Sequence, residues 1–141
     1  MSEYESFISD LLVQNIKHTN NTTSMAIDTS GQVTIRGESS ATTTSLQQGL
    51  AKVWSFCTQH TITDSLNTSS SSDDDIGKYT VNFTNNTATS NIAVSVTCNQ
   101  NTNLNGHASN QSTSSFQIRL KDTSGNGTDA NSGSAVHGDL A

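Results

Sequence analysis

Proline is absent from this 141-residue chain and only 13% of its residues are charged. Disordered chains of low apolar content normally carry many charges and prolines, so the composition argues against disorder throughout. Large apolar side chains are nonetheless scarce. Ile, Leu, Val and Phe number 8, 8, 7 and 4, or 19% of the chain, the edge of the range in which a single polypeptide buries enough to fold. Basic residues are few as well: Lys17, Arg36, Lys52, Lys78, Arg119 and Lys121 are scattered, and the formal net charge is −6. A surface that displaces counterions from phosphates needs clustered Lys and Arg, which argues against nucleic acid as a partner. Two cysteines, Cys57 and Cys98, are too few for a disulfide scaffold and lack metal-ligand spacing, so free thiols are expected. No stretch of about 18 apolar residues exists to cross a membrane, and the segment after Met1 has neither the basic region nor the apolar run of an export signal. The expectation is a soluble chain. Its length suits one domain, or one small domain with an appendage, and excludes two independent enzymatic domains.

Uncharged polar residues fill the gap: Ser, Thr, Asn and Gln number 23, 21, 15 and 8. Ordering each residue costs about 1–2 kcal/mol of backbone entropy, so a chain this poor in apolar side chains needs burial from another source. Identical partners can supply it. The composition predicts a β-rich homo-oligomer in which Ser, Thr and Asn line strand faces and turns.

Residues 2–14 carry the one clear helical period. Tyr4, Phe7, Ile8, Leu11 and Leu12 form an apolar stripe, and Ser2 with Glu5 makes a capping box at its start. A helix of about 12 residues is marginal alone, so the stripe must dock. It docks on sister helices, into another protein as an anchor, or on the chain's own β domain. From Val13 the pattern alternates, predicting a small β unit over 13–36. Met25 and Ile27, then Val33 and Ile35, mark two short strands joined by Asp28-Thr29-Ser30-Gly31. The Ser/Thr-rich stretch 37–46 reads as a polar linker, which places an N-terminal region at 1–46 and a distal β domain at 47–141. In the distal part, strands are predicted at Leu50–Thr58, Thr61–Leu66, Lys78–Thr84, around Ile92, Val94 and Val96, around Phe116, Ile118 and Leu120, and at Ala135–Leu140. Ser69–Asp75, Asn99–Ser115 and Thr123–Gly133 read as loops between them. Short alternating strands separated by such turns indicate a mainly β chain whose distal domain is an antiparallel β-sandwich or jelly-roll.

Several segments, in order, resemble those of bacteriophage fibre and virion structural proteins of marine phages. They are "VQNIKHTNNTTSMAIDTSGQVTI", "GLAKVWSF", "ITDSLN" and "GKYTVNFTNNTATSNIAVSV", with "SSFQIRLKDTSGNGTDA" fitting a penultimate strand and loop. The resemblance covers roughly residues 13–36 and 49–97. It departs from the family pattern at Ile92, where an aromatic is usual, and the N-terminal helix is not part of that pattern. It implies a non-enzymatic, homotrimeric appendage of a phage particle, made in the host bacterial cytoplasm and located in the virion. Its partners would be other virion proteins of capsid or tail and, in an adhesin, a host cell-surface glycan. The stripe Tyr4, Phe7, Ile8, Leu11 and Leu12 would then be the virion anchor or trimer contact. The receptor-facing side chains would come from the long loops: Asn101, Asn103, Asn105, His107, Asn110, Asn126, Asp129 and Asn131. Those loops have a plainer reading as solubilising turns.

Other constellations point to no cofactor, metal or catalytic group. His18, His60, His107 and His137 lack paired metal-ligand spacing and read as ordinary polar residues, unless a threefold axis gathers three copies of one of them. Asp73-Asp74-Asp75 lacks the spacing of a calcium loop and reads as a solvated turn rather than a cation site. No positioned Ser nucleophile and no pair of carboxylates flanking a sugar is identifiable. Trp54, Tyr79 and Phe83 invite a sugar-stacking platform, but their period-two positions favour core packing.

Overall fold

The computed structural model describes residues 14–17, 23–36, 43–99 and 103–140. The predicted helix stripe Tyr4, Phe7, Ile8, Leu11 and Leu12 and the loop residue Asn101 lie outside the described residues. The chain divides into two compact units, Met1–Gln47 and Gln48–Ala141.

The first unit is an antiparallel sheet in sequence order: β1 (Asn15–Lys17), β2 (Thr23–Ile27), β3 (Val33–Arg36) and β4 (Thr43–Ser45). β2 and β3 form around the predicted Met25/Ile27 and Val33/Ile35 alternation, with Met25 opposite Ile35 and Ile27 opposite Val33. The predicted linker needs correction. Thr43, Thr44 and Ser45 pair with Arg36, Ile35 and Thr34, and a single helical turn, Leu46–Gly49, follows. Thr43-Thr44-Ser45 holds no apolar residue, so it shows no period from which a strand could be read.

The second unit has eight strands: β5 (Val53–Thr58), β6 (Thr61–Leu66), β7 (Thr68–Asp75), β8 (Lys78–Phe83), β9 (Ala93–Cys98), β10 (Asn105–Ser109), β11 (Ser115–Lys121) and β12 (Ser132–His137). They form two four-stranded antiparallel sheets, ordered β10-β11-β8-β7 and β6-β5-β12-β9. Sequence neighbours pair within a sheet at β5–β6, β7–β8 and β10–β11, and the non-consecutive pairs β8–β11, β9–β12 and β5–β12 complete the two sheets of the sandwich. The chain changes sheet at Asn67, which takes a left-handed φ of 57° that Asn tolerates. Its side-chain amide bonds the carbonyls of Lys52 (3.3 Å) and Asn85 (3.1 Å), and its Oδ1 accepts the Asn85 backbone N–H at 2.7 Å.

Period-two alternation builds the core. One sheet sends in Tyr79, Val81 and Phe83 from β8 and Phe116, Ile118 and Leu120 from β11; the other sends in Val53 and Cys57 from β5 and Val136 from β12. Three serines share those inward positions, and each is paired. Ser55 and Ser134 bond each other at 2.8 Å, and Ser132 bonds the Tyr79 hydroxyl across the gap between sheets. A buried hydroxyl is tolerated only when hydrogen-bonded, and among the described residues no buried side-chain polar atom lacks a partner. The thin apolar content is thus met by paired hydroxyls inside one chain.

Two copies of Asp-Thr-Ser-Gly make the same turn, one in each unit. Asp28 Oδ1 accepts the N–H groups of Ser30 (2.8 Å) and Gln32 (2.9 Å); Asp122 Oδ1 accepts those of Ser124 (2.9 Å) and Asn126 (2.9 Å). Gly31 and Gly125 follow at φ 77° and 86°. The backbone N–H of Asn126, chief among these donors, holds the Asp122 carboxyl below its ordinary value. A depressed folded value means that the turn's order is fully present above the ordinary carboxylate range and is lost as pH falls through that lower value. Amide exchange at Ser124 and Asn126 should therefore be slow at neutral pH and speed up only in acid, beyond the intrinsic pH dependence of exchange. In Asp122→Ala it should be fast throughout. Protection that ignores both pH and the Ala variant would refute this role.

Candidate functional site

The two faces of β5 are both apolar. Val53 and Cys57 point inward, while Trp54 and Phe56, two residues apart and therefore on one side, point outward and are half-buried. Register places their neighbours. Trp54 lies opposite Leu66 of β6 and Ala135 of β12, and Ala135 lies opposite Ser95 of β9. Phe56 lies opposite Asp64 and Gly133, and Gly133 lies opposite Thr97. The two rings thus stand beside the two smallest side chains of the adjacent strand, which leaves their flanks uncovered.

The result is a shallow open cleft of about 390 Å³ lined by Trp54, Phe56, Ser95, Thr97, Gly133 and Ala135. Thr97 Oγ1 donates to the Gly133 carbonyl at 3.3 Å, and a Cβ on Gly133 would meet that same oxygen at 3.0 Å. Glycine at 133 is therefore what lets the Thr97 hydroxyl lie over the strand beside Phe56. On the other side, Asp64 is exposed, with Oδ1 accepting the Ser65 N–H at 2.9 Å. An aromatic floor, a hydroxyl wall and one carboxylate can hold a flat amphiphilic ligand by its apolar side.

The outer face of the opposite sheet is different in kind. The Gln117 amide nitrogen donates to Asp74 Oδ2 at 2.7 Å, and its Oε1 accepts from Arg119 Nε (3.1 Å), Ser109 Oγ (3.3 Å) and Asn110 Nδ2 (3.4 Å). Thr80 Oγ1 also donates to Asp74 Oδ2, at 2.7 Å. This network spends its polar atoms internally. It also corrects the reading of Asp73-Asp74-Asp75 as a turn: these residues end β7, with the register shifted between Asp73 and Asp75.

The loop residues predicted to face a receptor occupy different settings among the described residues. Asn105 and His107 belong to β10 rather than to a loop, opposite Lys121 and Arg119. Asn110 ends that strand at φ 49°, and Asn103 is exposed just before it. Asp129 Oδ1 accepts the Gly77 N–H at 2.6 Å, Asn131 Oδ1 accepts the Gln59 N–H at 3.2 Å, and Asn126 closes the Asp122 turn. The side chains of Asn110, Asp129 and Asn131 are bonded to the scaffold, while Asn103, Asn105 and His107 are exposed. The aromatic trio also separates: Tyr79 and Phe83 are in the core, and Trp54 alone of the three faces out. Phe56, Ser95, Thr97, Gly133 and Ala135 escaped sequence reading. The one available signal was Val53-Trp54-Ser55-Phe56-Cys57, a strand apolar on both faces, which marks either a doubly covered strand or an exposed patch.

The thiols are not activated. Burial raises the Cys57 pKa against the lowering effect of Ser55, and desolvation raises that of Cys98, so neither is a thiolate nucleophile at neutral pH. Burial likewise pushes the Tyr79 hydroxyl well above its ordinary value. Both cysteines lie at the register of Ser132 on the strands flanking it. That is two strand spacings, roughly 9.5 Å, beyond the ~7 Å a disulfide spans.

Among the described residues no group of three or more His, Cys, Asp or Glu is placed to hold a metal ion. Among the described residues no helix is long and apolar enough to cross a membrane. No protein-family model matches the chain, and no curated protein or solved structure matches it either.

Proposed function

We propose that the chain is a structural appendage protein of a bacteriophage particle, a short homotrimeric fibre or a capsid or tail decoration seated through its N-terminal segment. The observation that carries this reading is the contrast between the units. The sandwich closes its own core, whereas the described residues of the first unit form one sheet of short strands, with Ile16 55% and Ile27 38% exposed. A single sheet must cover a face with another layer. Sister copies supply one, and the helical stripe of Tyr4, Phe7, Ile8, Leu11 and Leu12 adds a bundle or an anchor to the parent particle. The resemblance of residues 13–36 and 49–97 to virion proteins points the same way. Weak contacts made by each sandwich would then be multiplied by three copies per appendage and many per particle.

Light scattering on the purified chain should return three times 14.9 kDa; a monomer at all concentrations would remove the premise. Changing Tyr4, Phe7 and Leu11 together to Ser should release the protein from particles, and unchanged incorporation would count against the anchor. Particles lacking the protein separate the roles. Loss of adsorption marks the receptor-binding tip, the reading favoured by the open aromatic face, whereas a weakened shell that still infects marks a capsid cement.

A further inference from the structure

We infer that the outer face of the β6-β5-β12-β9 sheet is a binding site for a neutral glycan, with one pyranose ring stacked on Trp54 and Phe56. The inference rests on the second unit alone and does not depend on the virion reading.

The geometry fits this ligand class in three respects. First, a pyranose has an apolar side of C–H groups and a rim of hydroxyls. The negative face of an aromatic ring attracts the positive edge of those C–H groups, and Trp54 and Phe56 present such rings side by side on a rigid strand. Second, the hydroxyl of Thr97, held over Gly133, and that of Ser95 stand across from the rings, with Asp64 on the opposite flank. Donors and acceptors on both sides of an apolar floor match a ring whose hydroxyls project from its edge. Third, the space is the right size. About 390 Å³ lies within the range of small-ligand pockets.

The same facts disfavour a second copy of the chain as the occupant. A stable protein interface buries about 800 Å² on each partner, whereas here the apolar floor is Trp54 and Phe56 with Leu66 and Ala135 beside Trp54, broken by Gly133 and bounded by Ser95, Thr97 and Asp64. Charge sets the sugar type. The chain carries −6, no charged residue lines the cleft, and Asp64 stands opposite Phe56 on the neighbouring strand, so a neutral glycan is favoured over a sulfated or uronic one.

Trp54 is the sole tryptophan, so its emission reports on the floor directly. The full chain is titrated with cellohexaose, chitohexaose, maltohexaose and mannohexaose, with an alginate hexamer as the anionic contrast. At least one neutral oligosaccharide should shift the emission saturably, with a dissociation constant of about 1 mM or below, little changed by salt, while alginate should not. By calorimetry, Trp54→Ala should weaken binding about tenfold or more. Ala135→Phe, which fills the cleft from the neighbouring strand and leaves Trp54 in place, should do the same with an unchanged circular dichroism spectrum. The proposal is overturned by no saturable response to any neutral oligosaccharide, by binding that survives both variants, or by stronger binding of alginate. It is also overturned by emission that shifts with protein concentration and not with sugar, which would make a sister copy the occupant.

Discussion

Phe116→Ala is expected to destabilise the sandwich by about 3–5 kcal/mol, the usual cost of removing a buried phenylalanine. Phe116 is fully buried near the start of β11, and its ring meets that of Phe83 with centroids 5.9 Å apart and planes tilted 41°. Few other large side chains are at hand to collapse into the space, because the facing sheet fills part of its inner surface with Ser55, Ser132 and Ser134. Domains of this size are stable by only about 5–15 kcal/mol, so the variant should unfold at far lower denaturant, followed by Trp54 emission. Phe56→Ala, on the outer face of β5, should lose no more than about 1–2 kcal/mol. Similar midpoints for the two would mean that the core is not where the alternation places it.

The second large effect comes from backbone rather than side chain. Gly77, in the turn between β7 and β8, has φ 66°, and a Cβ there would run into the Leu120 carbonyl and the Thr128 amide. Gly127 meets the same turn from the other side, against the Ile76 carbonyl. Leu120 N–H bonds the Gly77 carbonyl at 2.8 Å, and Asp129 caps the Gly77 amide. Two chain segments therefore touch main chain to main chain, and nothing there can rotate aside. Gly125→Ala is the control, since Gly125 has φ 86° with nothing within 4 Å of its added carbon. It should show the left-handed penalty alone, about 1–2 kcal/mol. Gly77→Ala should exceed it by several kcal/mol, near the tolerance of the fold. Equal midpoints for the two would show that the close approach has no energetic weight.

The strands that the sequence announced are those with large alternating side chains. β8 and β11 carry Tyr79-Val81-Phe83 and Phe116-Ile118-Leu120, all buried, and their inward face could be read directly. β4, β7 and β10 went unread, and each lies at the edge of its sheet. An edge strand is held by one ladder and packs little, so its composition need not show a period. β7 is Thr68 followed by four serines and three aspartates. In β10 the inward positions are Gly106 and Ala108, and Gly106 must be small because a Cβ would press on the Cys98 sulfur at 2.8 Å and on Val96 at 3.0 Å. The candidate site was hidden for a related reason. Period two put Trp54 and Phe56 on one face, but only tertiary pairing reveals that Gly133 and Ala135 stand next to them and leave the rings uncovered.

The aspartates of β7 bear on how such chains crowd together. An outermost strand offers an unpaired row of amides and carbonyls onto which a neighbouring molecule's sheet can zip. Here that hem is kinked at two bulges, between Thr68 and Ser70 and between Asp73 and Asp75, and it ends in three consecutive carboxylates. Two such margins brought side by side repel each other and fail to align. Closely spaced copies of the chain can thus keep their sandwiches from fusing into a continuous ribbon without a single proline in the sequence.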